Sequence, residues 1–134
     1  MREILFRGKR ADNGEWATSP YPYGTMSSDT MIHDFILDTV GEYTGVTDKS
    51  GNKVFENDIL CVENETCADA YGVICYGEYS NPFNGGKSHI GFYVEWSDKL
   101  QYLRQDLVFW CNECEVIGNI FDNPYLVEGV RDND

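Results

Sequence analysis

The stretch formed by residues 39–62 places the strongest constraint on the fold of this 134-residue chain, because it predicts two strands joined by a tight turn. Asp48, Ser50 and Gly51 supply the turn. An Asp side chain can accept hydrogen bonds from backbone two residues further on, and Gly adopts positive φ without a Cβ clash. Apolar residues flank the turn on both sides: Val40, Tyr43 and Val46 before it, and Val54, Phe55, Ile59, Leu60 and Val62 after it.

Further strand signals recur about every ten residues, a spacing typical of a small β-barrel or β-sandwich. Residues 4–10 predict a first strand, and Asp12-Asn13-Gly14 predicts a turn before a return strand that begins at Glu15. Other predicted strands cover residues 71–76, 89–96 and 116–121, the last ended by Asn123-Pro124. In the clearest of them, residues 89–96, one face carries Ile90, Phe92, Val94 and Trp96, and the other carries His89, Gly91, Tyr93 and Glu95.

The remaining segments predict irregular or short structure. Residues 17–28 contain Pro20 and Pro22 and predict a crossing loop, in which any strand lies at an edge because Pro cannot donate to a ladder. Residues 63–70 and 80–88 predict loops, and residues 130–134 a frayed tail. Two segments stay open: 31–37 suits a strand or one or two helical turns, and 107–110 suits a strand or the end of a short helix that begins near Ser97.

Length and composition predict one domain over residues 1–134 with a core large enough to fold without metal or disulfide. No apolar run approaches a membrane span, and the N-terminus lacks the apolar core of a signal peptide. Five cysteines, an odd number, fit reduced thiols better than a disulfide framework. These features predict a protein that stays in the cytoplasm and does not enter a membrane.

Charge is distributed unevenly along the chain. The net charge is −13, yet the first ten residues carry Arg2, Arg7, Lys9 and Arg10 against Glu3 alone. An acidic body repels phosphate backbones, so direct nucleic-acid binding is not expected. The basic start either pairs with an acidic neighbouring subunit or packs on the acidic surface of its own chain.

Few residues have the spacing of a chemical site. Cys111 and Cys114 have half of a zinc-knuckle pattern, but the second pair is missing, since Cys61, Cys67 and Cys75 are scattered. Glu113 and Glu115 raise a neighbouring thiol's pKa, which disfavours redox use. No motif flanks His33 or His89 that would make either the partner of a cysteine nucleophile.

Carboxylates and glycines are equally uninformative about catalysis. The pairs Glu56/Asp58 and Glu63/Glu65 are expected by chance in so acidic a chain, and Gly85-Gly86 lacks the helix and lysine of a phosphate loop. We expect turns, bulges or close strand approach at Gly8, Gly41, Gly45 and Gly118. The sequence therefore predicts no catalytic, cofactor-binding or metal site.

Aromatic residues are more numerous than one small core can hide. Tyr and Trp are enriched in interfaces because they bury a large area at low entropic cost. The candidates for an exposed aromatic surface are Tyr21, Tyr23, Tyr76, Tyr79, Phe83 and Tyr93. Their excess favours a protein–protein interaction surface; burial beneath loops is the alternative.

Three segments together resemble the YopX family, small proteins of phages and prophages. They are Ile4-Leu5-Phe6-Arg7-Gly8-Lys9-Arg10 through Glu15-Trp16; Thr39-Val40-Gly41-Glu42-Tyr43-Thr44-Gly45 with Asp48, Gly51, Phe55-Glu56 and Asp58-Ile59; and Glu115-Val116-Ile117-Gly118-Asn119-Ile120 before Asn123-Pro124. Asn57 stands where the family usually has Gly, and Asn tolerates positive φ. The resemblance implies a mostly β fold with a small SH3-like barrel, phage or prophage origin and self-association, and it implies no activity.

Two functional hypotheses follow. The first is a non-enzymatic phage accessory protein that forms homo-oligomers and binds a host or phage protein. The second is an acidic mimic of nucleic acid that blocks a host DNA-binding protein, which requires carboxylates in rows on one face. An unrecognised hydrolase or metal enzyme is a third, weaker alternative.

Overall fold

A computed structural model describes residues 3–26, 32–62, 71–80, 88–97 and 105–127. The chain divides into two compact units, Met1–Gly45 and Val46–Asp134. The strands in the described ranges are β1 (Phe6–Lys9), β2 (Trp16–Ser19), β3 (Gly24–Met26), β4 (Ile32–Asp34), β5 (Gly41–Thr47), β6 (Lys53–Phe55), β7 (Asp58–Val62), β8 (Tyr71–Ser80), β9 (Ser88–Trp96) and β10 (Cys114–Asn119). One α-helix, α1 (Leu107–Glu113), and 3₁₀ turns over Leu37–Thr39 and Pro124–Leu126 complete these ranges.

The first unit is built on the predicted opening hairpin. β1 and β2 pair antiparallel from Phe6↔Ser19 to Lys9↔Trp16, and Gly14 in the connecting turn has φ +73°. β5 pairs with the other edge of β1, and β3 pairs with β4 in a separate two-stranded sheet. The strand, the turn and the return strand predicted for residues 4–16 are therefore confirmed.

Gly8 has the role expected of it, close approach. A Cβ placed on Gly8 would lie 2.7 Å from the Phe35 ring, which is buried. Phe35 follows β4 and forms an isolated bridge with Arg10. Any larger residue at position 8 would displace this core aromatic.

The second unit contains a four-stranded antiparallel sheet in the order β10-β7-β8-β9. β5 extends into this unit, where it neighbours β6. The main hydrophobic cluster gathers Val54 from β6, Leu60 from β7, Ile74 from β8, Val94 from β9 and, from the α1 segment, Leu107, Trp110, Cys111 and Cys114. The core of this unit therefore takes a side chain from almost every element in it.

The predicted hairpin of residues 39–62 is correct in its first arm and turn but wrong in its second arm. The second arm is two strands, β6 and β7, separated at Glu56 and Asn57. Asn57 has φ +76°, as the substitution for Gly allows, and the Asp58 carboxylate accepts the Phe55 N–H at 2.8 Å. This turn redirects the chain, so that β7 pairs with β8 and β10 instead of continuing the β5–β6 hairpin.

The structure decides the two open segments. Residues 32–34 are strand, and the 3₁₀ turn Leu37–Thr39 follows. Residues 107–110 lie in α1, which begins at Leu107; the helix does not begin near Ser97. The predicted loop at 63–70, most of the loop at 80–88 and the tail 130–134 lie outside the described residues.

The fold is mostly β, as predicted, with three antiparallel sheets among the described residues. No pairing in these ranges closes a barrel, so the SH3-like barrel and the single domain stay predictions. Within the same ranges, no helix has the length and apolarity needed to cross a bilayer.

Asp48 ties the turn after β5 to the last strand. One carboxylate oxygen accepts the N–H groups of Ser50 and Asn52, each at 2.9 Å. The other accepts the Val116 N–H at 2.9 Å, where β10 bulges between Val116 and Gly118. Burial alone raises the pKa of Asp48, but the hydrogen bonds from Val116, Asn52 and Ser50 outweigh it, and the pKa lies below its usual value.

Replacing Asp48 by Asn should lower the free energy of unfolding by about 2–3 kcal/mol, because hydrogen bonds to a charged acceptor are lost and an amide N–H replaces one acceptor. Asp38→Asn, at an exposed site, is the control and should change it by less than about 0.5 kcal/mol. Urea denaturation at neutral pH measures both. Equal midpoints and slopes for the two variants would show that Asp48 does not hold the turn.

The Asp48 contribution should also depend on pH. A carboxyl whose pKa is depressed in the folded state stabilises the protein above its unfolded pKa of about 3.9, and this stabilisation is lost as the pH falls through the lower, folded-state pKa. The difference in free energy of unfolding between wild type and Asp48→Asn should therefore become smaller below about pH 4. A constant difference from neutral to strongly acidic pH would contradict this assignment.

Gly72 of β8 gives a test of packing in the sheet. A Cβ at this position would lie 2.5 Å from Cγ1 of Val94 and 3.0 Å from the Trp96 ring, so Gly72→Ala should destabilise the protein by about 1–3 kcal/mol. Gly91→Ala is the matched control, since a Cβ there meets no atom within 4 Å. Thermal unfolding measures both; a Gly72→Ala variant as stable as Gly91→Ala would refute the close packing.

Candidate functional site

The Cys111 and Cys114 side chains lie inside the main hydrophobic cluster. Their exposed fractions are 0% and 1%, and Cys111 lies in α1 while Cys114 opens β10. Burial raises the pKa of Cys111 to about 12 and that of Cys114 to about 11, and the Glu113 carboxylate adds to the rise at Cys114, as expected from the sequence. Because the thiolate is the nucleophile and the metal ligand, both residues are inert thiols at neutral pH.

The other candidate ligands do not join this pair. Cys61 and Cys75 are half-buried, and Cys67 lies outside the described residues. Among the residues that the structure describes, no three side chains of His, Cys, Asp or Glu lie close enough together to hold a metal ion.

His33 and His89 belong to different units. The Nδ1 atom of His33 lies 3.0 Å from an Arg10 guanidinium nitrogen and 3.3 Å from an Asp12 carboxylate oxygen. Arg10 also binds Asp12 through two nitrogens, and its hydrogen bond lowers the pKa of Asp12. His33 therefore links β4 to the β1–β2 turn, which is a structural role.

In the carboxylate pair Glu56/Asp58, Asp58 has a structural role. Asp58 is buried and holds the turn before β7 through the Phe55 N–H. The second pair, Glu63/Glu65, lies outside the described ranges, as do Gly85 and Gly86. The expected roles of two glycines are confirmed: Gly45 has φ +89°, and Gly118 lies at the β10 bulge.

A two-stranded ribbon, residues 75–80 of β8 and 88–93 of β9, carries two of the large exposed side chains of the second unit, the others being Val108, Ile117 and Tyr125. β7 pairs with β8 only as far as Val73, whereas β9 pairs with β8 as far as Ser80↔Ser88. On one face of the ribbon Tyr76 is 58% exposed and Ile90 is 76% exposed. The Phe92 ring meets the Tyr76 ring edge-on at 5.1 Å.

The other face of the ribbon carries a row of stacked rings. Tyr79 stacks on Tyr93 at 5.5 Å and lies 5.6 Å from the His89 ring. The opposed pair Gly77↔Gly91 lies between them, so no side chain separates the two tyrosines. Burial, followed by the Cys75 and Glu95 side chains, raises the pKa of Tyr93.

The first unit presents a second aromatic pair. Tyr21 and Tyr23, 46% and 51% exposed, stack at 5.5 Å just before β3. Of the six aromatic candidates, Tyr21, Tyr23 and Tyr76 are exposed, Tyr79 and Tyr93 are half-buried, and Phe83 lies outside the described residues. The predicted exposure is therefore confirmed for three of them.

Ile90 was assigned from the sequence to the same face as Val94, and the strand does alternate in this way. Val94 is fully buried, however, and Ile90 is largely exposed. Val94 packs with Leu107 and Trp110 in the main hydrophobic cluster, which does not include Ile90, and no local pattern reveals how far that cluster extends along the strand. Tyr125, exposed in the turn Pro124–Leu126, was also missed.

The model of the YopX protein family matches residues 8–128. The chain belongs to the YopX family. The match includes the Tyr21–Tyr23 pair, the Tyr79–Tyr93 stack, the Asp48 turn and β10. The surfaces described above therefore lie within the matched residues. A search of curated proteins returned no match.

Burial of Cys111 and Cys114 predicts that neither thiol reacts in the folded protein. At about pH 8 a thiol of pKa 11 is ionised in roughly one molecule in a thousand, and a buried one is also inaccessible. Brief iodoacetamide treatment followed by peptide mass mapping should label both only after unfolding in urea. Half-buried Cys75 is the internal control and should be labelled first; rapid native labelling of Cys111 would contradict its burial.

Proposed function

We propose that this YopX-family protein is a phage or prophage accessory protein that works in the bacterial cytoplasm by non-enzymatic contact with proteins, including further copies of itself. The observation that carries the proposal is one face of the β8–β9 ribbon, where the large apolar side chains of Tyr76 and Ile90 are more than half exposed beside Glu78. Large apolar side chains adjacent on a surface cost free energy in water and mark interaction sites. Family membership supports the phage origin.

The chemistry-bearing residues support contact over catalysis. Cys111 and Cys114 are buried in the core with raised pKa values, and Asp48 and Asp58 accept backbone N–H groups that hold turns. His33 is engaged with Arg10 and Asp12. In the described ranges these groups serve the fold, whereas the exposed aromatic side chains have no comparable structural use.

The alternative, a protein mimic of nucleic acid, draws on the net charge of −13. Such a mimic needs ionised carboxylates in regular rows that reach solvent. Asp48 and Asp58 are buried, and Asp12 is paired with Arg10, so these three do not contribute to such a row. This arrangement favours the contact proposal.

Self-association should appear as an average mass that rises with protein concentration. Sedimentation equilibrium of the full chain over roughly micromolar to millimolar concentration measures it, because interfaces at the small end of the size range dissociate in that interval. Added salt should leave the association unchanged or strengthen it, since screening reduces repulsion between acidic copies. A constant monomer mass over the whole range would refute self-association.

The partner class needs a separate test. Affinity capture from phage-infected cells with wild type and a Tyr76→Ser variant compares the proteins retained by each. Partners lost with Tyr76→Ser but retained at high salt support apolar contact. A DNA-binding protein that is retained by both and eluted by salt supports the mimic instead.

A further inference from the structure

β9 is the last strand of its sheet, and the structure shows how far its outer edge is covered. Val94 N–H donates to the Gln105 carbonyl at 3.0 Å, and Tyr93 forms a bridge with Asp106. In this register Leu107, the first residue of α1, lies opposite Phe92, and the cover ends there. Among the described residues, no strand pairs with the stretch that we call the β9 edge, residues 88–92, on its outer side.

The direction of the backbone groups along the β9 edge follows from its neighbours. Val94 directs its N–H outward, to Gln105, and Ile74 opposite it directs its carbonyl away from β9, to Asn57 N–H. Backbone groups alternate in direction along a strand. Ser88 and Ile90 therefore present their N–H and C=O groups at the open edge, whereas the Phe92 carbonyl faces Leu107.

The side chains make this edge apolar and uncharged. Residues 88–92 contain no Asp, Glu, Lys or Arg, in a chain with a net charge of −13. Ile90 and Phe92 lie on the same face as Tyr76. An exposed edge with open backbone groups and an apolar face is a template for another strand, and proteins normally protect such edges with charge or Pro.

We propose that the β9 edge pairs antiparallel with the β9 edge of a second copy, with Ile90 on the two-fold axis. This inference rests on the self-association in the proposed function and names the surface. A pairing centred on Ile90 sets Ile90 opposite Ile90 of the second copy, and the two residues exchange both backbone hydrogen bonds. The pairing ends before Phe92, since Leu107 already lies beside that residue.

Electrostatics favours this edge over the outer edge of β8. Two copies of an acidic chain repel each other, so the contact must keep carboxylates apart. In the β9 pairing, Glu78 of each copy lies one strand behind Ile90, so the two carboxylates are about three strand spacings apart, or about 14 Å. That exceeds the physiological screening length of about 8 Å. Pairing two β8 edges centred on Glu78 would place the two carboxylates directly opposite each other.

The size of the contact predicts a reversible dimer. Tyr76, Ile90 and the half-buried Phe92 offer on the order of 300–400 Å² of apolar surface per copy, against roughly 800 Å² in a standard stable interface. Backbone hydrogen bonds supply direction and register more than affinity. Association is therefore concentration-dependent.

The first test compares Ile90→Lys with Val108→Lys in sedimentation equilibrium on the full chain. Both positions are exposed aliphatics, and Val108 lies on α1, outside the β9 edge. Ile90→Lys sets like charges opposite each other across the two-fold and should raise the dissociation constant at least about tenfold, whereas Val108→Lys leaves it unchanged. Circular dichroism checks that both variants are folded. Equal effects of the two variants overturn the inference.

The second test detects the two-fold itself. Ile90→Cys with a short bismaleimide reagent should give a covalent dimer, because residues opposite each other in a hydrogen-bonded pair lie about 5.5 Å apart. Val108→Cys and wild type, which carries the native cysteines, are the controls and should stay monomeric on denaturing gels. An Ile90→Cys protein that self-associates without cross-linking overturns the Ile90-centred arrangement.

The failure of this inference is distinguishable from that of the proposed function. If wild type remains a monomer at every concentration, both the self-association and the β9 edge are wrong. If wild type associates and Ile90→Lys associates equally well, self-association stands and the β9 edge is wrong. A monomer in which the β9 edge binds an extended peptide instead overturns the second copy as its occupant.

Discussion

The second unit depends on a single buried carboxylate. Asp48 accepts the N–H groups of Ser50, Asn52 and Val116, and so joins the turn after β5 to the bulge of β10. A buried charge is tolerated only when hydrogen bonds replace its water. Here they replace it well enough to hold the pKa of Asp48 below its usual value despite burial, so the ionised form is part of the native structure. The turn and the strand pairing therefore stabilise each other.

A second turn redirects the chain and thereby creates the exposed surface. Asn57 at positive φ and the Asp58 carboxylate separate β6 from β7, which sends β7 between β10 and β8. β7 is short, so β8 and β9 extend beyond it and continue as a two-stranded ribbon. Ile90, which the alternation of side chains along β9 places on the same face as buried Val94, is exposed to solvent. The exposed ribbon is thus part of the same sheet that contributes to the core.

Two thiols of the second unit lie in its core, whereas several large apolar side chains lie at its surface. The thiols of Cys111 and Cys114 are enclosed with raised pKa values, while Tyr76 and Ile90 remain in water. The YopX-family match across residues 8–128 includes this whole arrangement. The β9 edge is the surface that we propose for contact, because it joins exposed apolar side chains with a lack of charge.

By itself, the sequence determined the local geometry: the Asp12–Gly14 turn, the Asp48 turn with Gly51 at φ +89°, the tolerance of Asn57 for positive φ, and the alternation of β9. These features depend on neighbouring residues, whose stereochemistry is readable from side-chain type. Only the tertiary structure decided that β6 and β7 join different sheets, that Val116 N–H reaches Asp48 across 68 residues, and that Ile90 is exposed while Val94 is buried. Each of those outcomes depends on which distant strand lies alongside, and strand length and pairing partner leave no periodic trace in a single chain.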